Sequence, residues 1–183
     1  MKIIPSKENY RKNVAPALKK ELGRGSVLSL PRVEKVIVNM GIGKLLKDKT
    51  SVEDAVNVLT VITGQKPVFT KAHKAISGFK IRSGMDVGIK ATLRGARMWY
   101  FIDRLLHSAL PRVRDFQGIS ERAVDAGGNL TIGIKEHVIF PEILPEKTQF
   151  IHSFQATIVT TAKIRGEALL LLQKMGFPFR KEE

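Results

Sequence analysis

From Asp86 to Arg94 the chain alternates without interruption, with Val87, Ile89, Ala91 and Leu93 in one set and Gly88, Lys90, Thr92 and Arg94 in the other. A period of two puts the sets on opposite sides of a β-strand, the pattern of a sheet with one face on a core and one in water. The wet set is cationic and hydroxyl-bearing. Val33 to Met40 repeats the pattern: Val36, Val38 and Met40 share one face, and Lys35, Ile37 and Asn39 the other. Alternating pieces at Leu130–Lys135 and Ala156–Thr161, with the β-like run Val68-Phe69-Thr70, complete the strands.

Helices separate them. A basic helix is predicted over about residues 6–22, ending near Gly23 and Gly25. Ser51 is expected as the N-cap of a second helix, with Glu53 and Asp54 in its first turn and Gly64 ending it after Thr63. An apolar helix from Ala96 to Leu110 stops at Pro111, and a last one, Glu167 to Met175, closes at Gly176 and Pro178. Trp99, Phe101, Phe69 and Phe154 are expected in the core. Strands outnumber what βαβ repeats would give. The prediction is therefore an α+β fold: a mostly antiparallel open sheet with helices packed on one face. At 183 residues the chain is expected to form one domain, 1–183, able to bury about 70% of its unfolded surface.

Charge narrows the function. The net charge is +14, and it is clustered. Residues 1–35 hold 9 Lys/Arg against 3 acids, and residues 66–97 hold 8 against the single Asp86; the rest is near balance. Such blocks are the footprint of a protein that meets a polyanion, supplying affinity for phosphate but no sequence information. The second block contains a basic loop, about 71–84, too long for a simple turn. Within it Phe79, between Gly78 and Lys80, has two open roles: stacking on a base or ribose, or plugging the loop onto the body.

Other chemistries are poorly supported. There is no cysteine, which excludes disulfides, thiolate metal sites and thiol nucleophiles. His73, His107, His137 and His152 stand at no metal-binding spacing, so no metal and no cofactor are expected. Gly41-Ile42-Gly43-Lys44 follows a strand, but a phosphate loop would need Gly where Val38 stands and Ser or Thr at Leu45; a dinucleotide fingerprint would need Gly at Leu46. No nucleophile, base and acid group together, and Glu136 and Glu142 have no reason to share a cleft; the chain does not read as an enzyme. No apolar run approaches the roughly 18 residues of a membrane span, and Met1 to Ser6 lacks the apolar core of a secretory signal.

The run from Leu59 to Ala75, Leu-Thr-Val-Ile-Thr-Gly-Gln-Lys-Pro-Val-Phe-Thr-Lys-Ala-His-Lys-Ala, closely resembles the signature of the large-subunit ribosomal protein five family, the bacterial 5S-rRNA-binding proteins. Pro31-Arg32-Val33-Glu34-Lys35, Met98-Trp99, Leu110 to Phe116, Gly133-Ile134-Lys135-Glu136, Ile139-Phe140-Pro141-Glu142, Val159 to Ala162 and Gly176 to Arg180 also resemble it, in family order. The resemblance implies a cytoplasmic, ribosome-associated structural protein of the central protuberance. Its implied partners are 5S rRNA, 23S rRNA, P-site tRNA, neighbouring ribosomal proteins of the protuberance and a small-subunit head protein at an intersubunit bridge, with no membrane. By similarity Asn39, Gln65 and Thr92 match polar positions facing 5S rRNA, and Lys35, Met40, Gly41, Lys66, Thr70, Lys90 and Arg94 are expected beside them. The loop carrying Lys71, Lys74, Ser77, Phe79, Lys80 and Arg82 matches the family segment that reaches the tRNA. Two stretches depart from the family: Asp125-Ala126-Gly127-Gly128-Asn129-Leu130, which lacks the usual Arg and aromatic, and Leu144 to Phe154. The competing reading is a DNA-compacting or architectural protein, whose affinity would ignore RNA shape; no helix-turn-helix or minor-groove arm speaks for it.

Overall fold

The computed structural model describes residues 5–43, 45, 48–143 and 150–180. Strands β1 (Val33–Gly41), β2 (Val68–Lys71), β3 (Asp86–Leu93), β4 (Leu130–Ile134) and β5 (Phe154–Thr160) form one sheet in the order β2-β3-β1-β5-β4. Neighbours run antiparallel. Val68, Phe69 and Thr70 lie opposite Lys90, Ile89 and Gly88, and an irregularity follows before Lys71 meets Asp86. The Ile42 N–H donates to the Val87 carbonyl at 3.0 Å where β1 ends and β3 begins. The Thr161 N–H donates to the Arg32 carbonyl at 2.9 Å where β5 ends and β1 begins. The predicted α+β class and antiparallel open sheet are what the chain adopts.

Alternation does what it should. Val36, Val38 and Met40 in β1, Ile89, Ala91 and Leu93 in β3, and Phe154, Ala156 and Ile158 in β5 are buried, while Asn39, Lys90 and Gln155 between them are exposed.

The chain divides into two compact units. The first comprises residues 1–36, 94–132 and 157–183. Here α1 (Ser6–Asn9), a π-helical stretch (Tyr10–Val14) and α2 (Ala15–Glu21) make up the predicted basic helix, and Gly23 beyond it has φ +62°. Pro16 lacks an N–H and its ring crowds the carbonyl four residues back; the wider turn directly before it accommodates both. The same unit holds α4 (Gly95–Arg104), prolonged by a π-helical turn before Pro111, and α5 (Arg165–Met175), closed by Gly176 at φ +97°. The Ser6 N–H donates to Asp103 Oδ1 at 2.7 Å, the Tyr10 hydroxyl donates to the Pro31 carbonyl at 3.1 Å, and Arg24 pairs with Glu167. Trp99 is half-buried beside the Tyr10 ring rather than enclosed, which corrects its expected core position.

The second unit comprises residues 37–93 and 133–156. Its helix α3 (Lys49–Thr63) lies against β3 and buries Ala55, Val58, Leu59 and Ile62. Its N-cap is Asp48, not Ser51: Asp48 Oδ1 accepts the Thr50 N–H at 3.2 Å, while the buried Ser51 hydroxyl donates to Asp48 Oδ2 at 2.6 Å. The hydroxyls of Ser51 and Thr50 hold the Asp48 carboxyl below its usual range. The helix ends at Gly64, φ +65°, as predicted. A polar pair lies inside this unit. His137, fully buried, accepts the His152 backbone N–H through Nδ1 at 3.0 Å, and His152 Nε2 lies 3.0 Å from Asp54 Oδ2. Burial, and then the neighbouring His152, push the His137 imidazole below its ordinary pKa, so it is neutral. Phe69 is 42% exposed, which corrects its assignment to the core.

Candidate nucleic-acid interface

The open face of the second unit is organised around an absent side chain. A Cβ on Gly88 would lie 2.7 Å from Thr70 Oγ1, 3.2 Å from the Met40 carbonyl oxygen and 3.9 Å from Asn39 Oδ1. No residue with a side chain fits there without displacing its neighbours. The Thr70 hydroxyl from β2 and the Asn39 amide from β1 therefore close over the backbone of β3. Lys90 and Thr92 follow on the same face of that strand, exposed and half-exposed. The result is one amide, two hydroxyls and a cation on three hydrogen-bonded strands, fixed in spacing as loop residues would not be. Such a set can hydrogen-bond ribose and base edges while pairing a phosphate.

The remaining sheet-face candidates differ in exposure and in the unit they belong to. Gly41 is exposed at the end of β1. Met40 is corrected: it is 1% exposed, on the opposite side from Asn39, and its side chain belongs to the core. Gln65 is half-exposed in the turn after α3, its N–H donating to Thr63 Oγ1 at 3.3 Å and its carbonyl accepting from that hydroxyl at 2.9 Å. Lys66 beside it is exposed. Lys35, 3.6 Å from the Glu34 carboxylate, and the exposed Arg94 belong to the first unit; the other candidates belong to the second.

The basic loop is folded. The Ala72 N–H donates to the Met85 carbonyl at 2.8 Å, and the Gly84 N–H donates to the Ala72 carbonyl at 2.9 Å. Ile76 and Ile81 exchange both backbone bonds, at 2.9 and 3.2 Å. Residues 71–84 thus extend the β2–β3 hairpin, capped by a 3-10 turn at Ser77–Phe79 and by Lys80 at φ +55°. Phe79 is 76% exposed, so it does not plug the loop onto the body. Lys71, Lys74, Ser77, Lys80 and Arg82 are exposed as well. An aromatic face among cations suits an unpaired or accessible base and its phosphates.

Sequence reasoning missed a neighbouring cleft. Asn39 and Gly41 also line a cavity of about 400 Å³ together with Gly133, Lys135, Ser153 and Gln155. Among the described residues no cluster of three or more His, Asp or Glu could hold a metal ion, and no helix is long and apolar enough to cross a membrane. Glu136 and Glu142 are both exposed.

Comparison with known proteins gives one consistent family over most of the chain. Residues 26–82 match the family model described as ribosomal protein L5, and residues 86–179 match that of the ribosomal L5P family C-terminus. The large ribosomal subunit protein uL5 of Brevibacillus brevis is 48% identical over 175 residues, covering 96% of this chain and 97% of its own. That of Ureaplasma parvum serovar 3 is 50% identical over 175 residues, with 96% and 95% covered. That of Acholeplasma laidlawii is 48% identical over 175 residues, with 96% and 97% covered.

Proposed function

The chain belongs to the ribosomal protein L5 family, and from that premise we propose that it attaches 5S rRNA in the central protuberance through the open sheet face of its second unit. It is a structural, rRNA-binding protein of the large ribosomal subunit, not an enzyme. The observation that carries the finer reading is the closure of Thr70 and Asn39 over Gly88, with Lys90 on the same face. A surface that only repelled other proteins or kept the chain soluble would have no use for a glycine conserving space beneath two polar side chains. Asn39, Gln65, Thr70 and Thr92 supply hydrogen bonds that read RNA shape. Lys66 and Lys90 supply phosphate pairing, Lys35 and Arg94 of the first unit supply more, and Gly41 permits close approach. The hairpin tip, with Phe79 among Lys71, Lys74, Ser77, Lys80 and Arg82, reaches P-site tRNA. Contacts with 23S rRNA, with neighbouring proteins of the protuberance and with a small-subunit head protein complete the assembly.

The test is binding of the full chain to a bacterial 5S rRNA transcript and to an RNA duplex of equal length across a salt series. Shape-specific recognition keeps an excess affinity for 5S rRNA as salt rises, because hydrogen bonds and fit persist when counterion release weakens. If the two curves fall together, the face is only a polycation and the reading is wrong. A DNA-compacting protein would show that second result.

A further inference from the structure

The cleft beside Asn39 and Gly41 is built from chemistry that selects its occupant. Among the described residues its lining contains no acid and one cation, Lys135, and that cation forms no ion pair with any of them. A cation with no described acid beside it attracts an anion. Around it stand the exposed side chains of Asn39, Ser153 and Gln155, none with an internal hydrogen-bond partner among the described residues. Each of the three can both donate and accept. A bare phosphate needs only donors, and an apolar ligand would leave all three unsatisfied. A hydroxyl next to a phosphate uses the whole set. Gly41 and Gly133 complete the argument: a Cβ on either would meet nothing within 4 Å, so the space above both backbones is open to a ligand.

We propose that this cleft takes a ribose–phosphate step of RNA, with Lys135 pairing to the phosphate and Gln155 and Ser153 hydrogen-bonding the 2′-hydroxyl. This edge of the interface thereby distinguishes RNA from DNA. The inference rests on the reading that the sheet face holds RNA, and it extends that face beyond β1–β3 to residues from the β4 and β5 side of the second unit.

Four variants of the full chain test it: Lys135→Ala, Gln155→Ala, Lys90→Ala and Thr92→Val. All four side chains are exposed or half-exposed, and each variant is expected to keep the wild-type melting temperature. Binding is measured to a 5S rRNA transcript over a salt series, and to RNA and DNA duplexes of one sequence. Lys135→Ala weakens 5S rRNA binding about tenfold and lowers the slope of log K against log salt by about one, the mark of a single lost phosphate contact. Gln155→Ala narrows the preference for RNA over DNA by about tenfold, one lost hydrogen bond to a buried partner. If both cleft variants bind as wild type while Lys90→Ala and Thr92→Val weaken, the cleft proposal is overturned and the sheet-face reading stands. If none of the four changes binding, both fail. A Gln155→Ala variant that weakens RNA and DNA alike overturns the assignment of the 2′-hydroxyl.

Discussion

One missing methyl group organises the interface. Gly88 is needed not for an unusual backbone angle but for space, since a Cβ there would press on Thr70 Oγ1 at 2.7 Å and on the Met40 carbonyl at 3.2 Å. Gly88→Ala must push Thr70 off its rotamer or shift β2 against β3. Overpacking of this kind costs about 1–3 kcal/mol, which for a chain of this size lowers the melting temperature by roughly 2–4 °C per kcal/mol. The same substitution should weaken 5S rRNA binding, because it displaces the polar groups proposed to face RNA. In a thermal double-mutant cycle, Thr70→Ala should recover part of the loss, since it removes the nearer of the two contacts. An unchanged melting temperature for Gly88→Ala would sink the argument. The alternation of β3 was legible in the sequence, and it gives Lys90 and Thr92 their outward direction. The role of Gly88 was not, because a glycine on a wet face reads equally as a bend, and only the register Thr70 opposite Gly88 reveals what it accommodates. Met40 is the reverse case: its parity with Val36 and Val38 places it inward, and neighbourhood to Asn39 and Gly41 in sequence does not change the face a strand residue occupies.

At the scale of elements, the proposed function divides between the sheet face and the 71–84 hairpin extension. Its tip lies beyond the paired arms of β2 and β3, and Phe79 and Lys80 at that tip are exposed. Lys80→Ala should therefore impair tRNA-linked function in a translation assay while leaving 5S rRNA affinity within about twofold of wild type, as expected for a surface substitution away from buried features. Abolition of 5S rRNA binding by Lys80→Ala would show that the division is wrong. Element boundaries were legible where one residue type stands alone and blurred where several compete. Gly64 and Gly176 end their helices where predicted. The start of α3 was misplaced because Asp48, Thr50 and Ser51 are all N-cap types; Asp48 wins because its two carboxylate oxygens engage both of the others. The start of β5 was missed for a different reason. Immediately before it the usual chemistry is inverted: Ile151 is 70% exposed, whereas His152 is buried and satisfied by Asp54. A hydrophobic pattern cannot anticipate a polar residue pointing inward with a partner 98 positions away. With the strand begun two residues late, Gln155 fell outside it and Ser153 lay apart from its start, and the cleft they line went unseen.

Across the whole molecule, the charge of +14 raises the question of whether its amount or its placement matters. Long-range attraction of a polyanion depends on the total and is screened within about 10 Å at ordinary salt, whereas phosphate pairing depends on which cations reach the backbone. Two double variants separate these effects at identical net charge. Lys66→Glu with Lys90→Glu alters the basic block of residues 66–97, and Lys163→Glu with Arg165→Glu alters the near-neutral C-terminal part; all four side chains are exposed. Each pair lowers the net charge by the same amount. At about 0.15 M salt the first pair should reduce 5S rRNA affinity by roughly a hundredfold, since it converts two attractive contacts into like-charge repulsion. The second should reduce it by less than about threefold, and most of that effect should vanish at higher salt, because a diffuse field is screened while a contact is not. Equal losses in the two pairs would mean that the protein meets its RNA as an unstructured cloud of charge. The arrangement of Asn39, Thr70, Lys90 and Thr92 on one face would then be a consequence of sheet geometry alone. Unequal losses make placement the operative variable, and that is what the confinement of the excess to two short blocks already favours: a fold that needed only solubility would gain nothing from leaving most of its C-terminal half near neutrality.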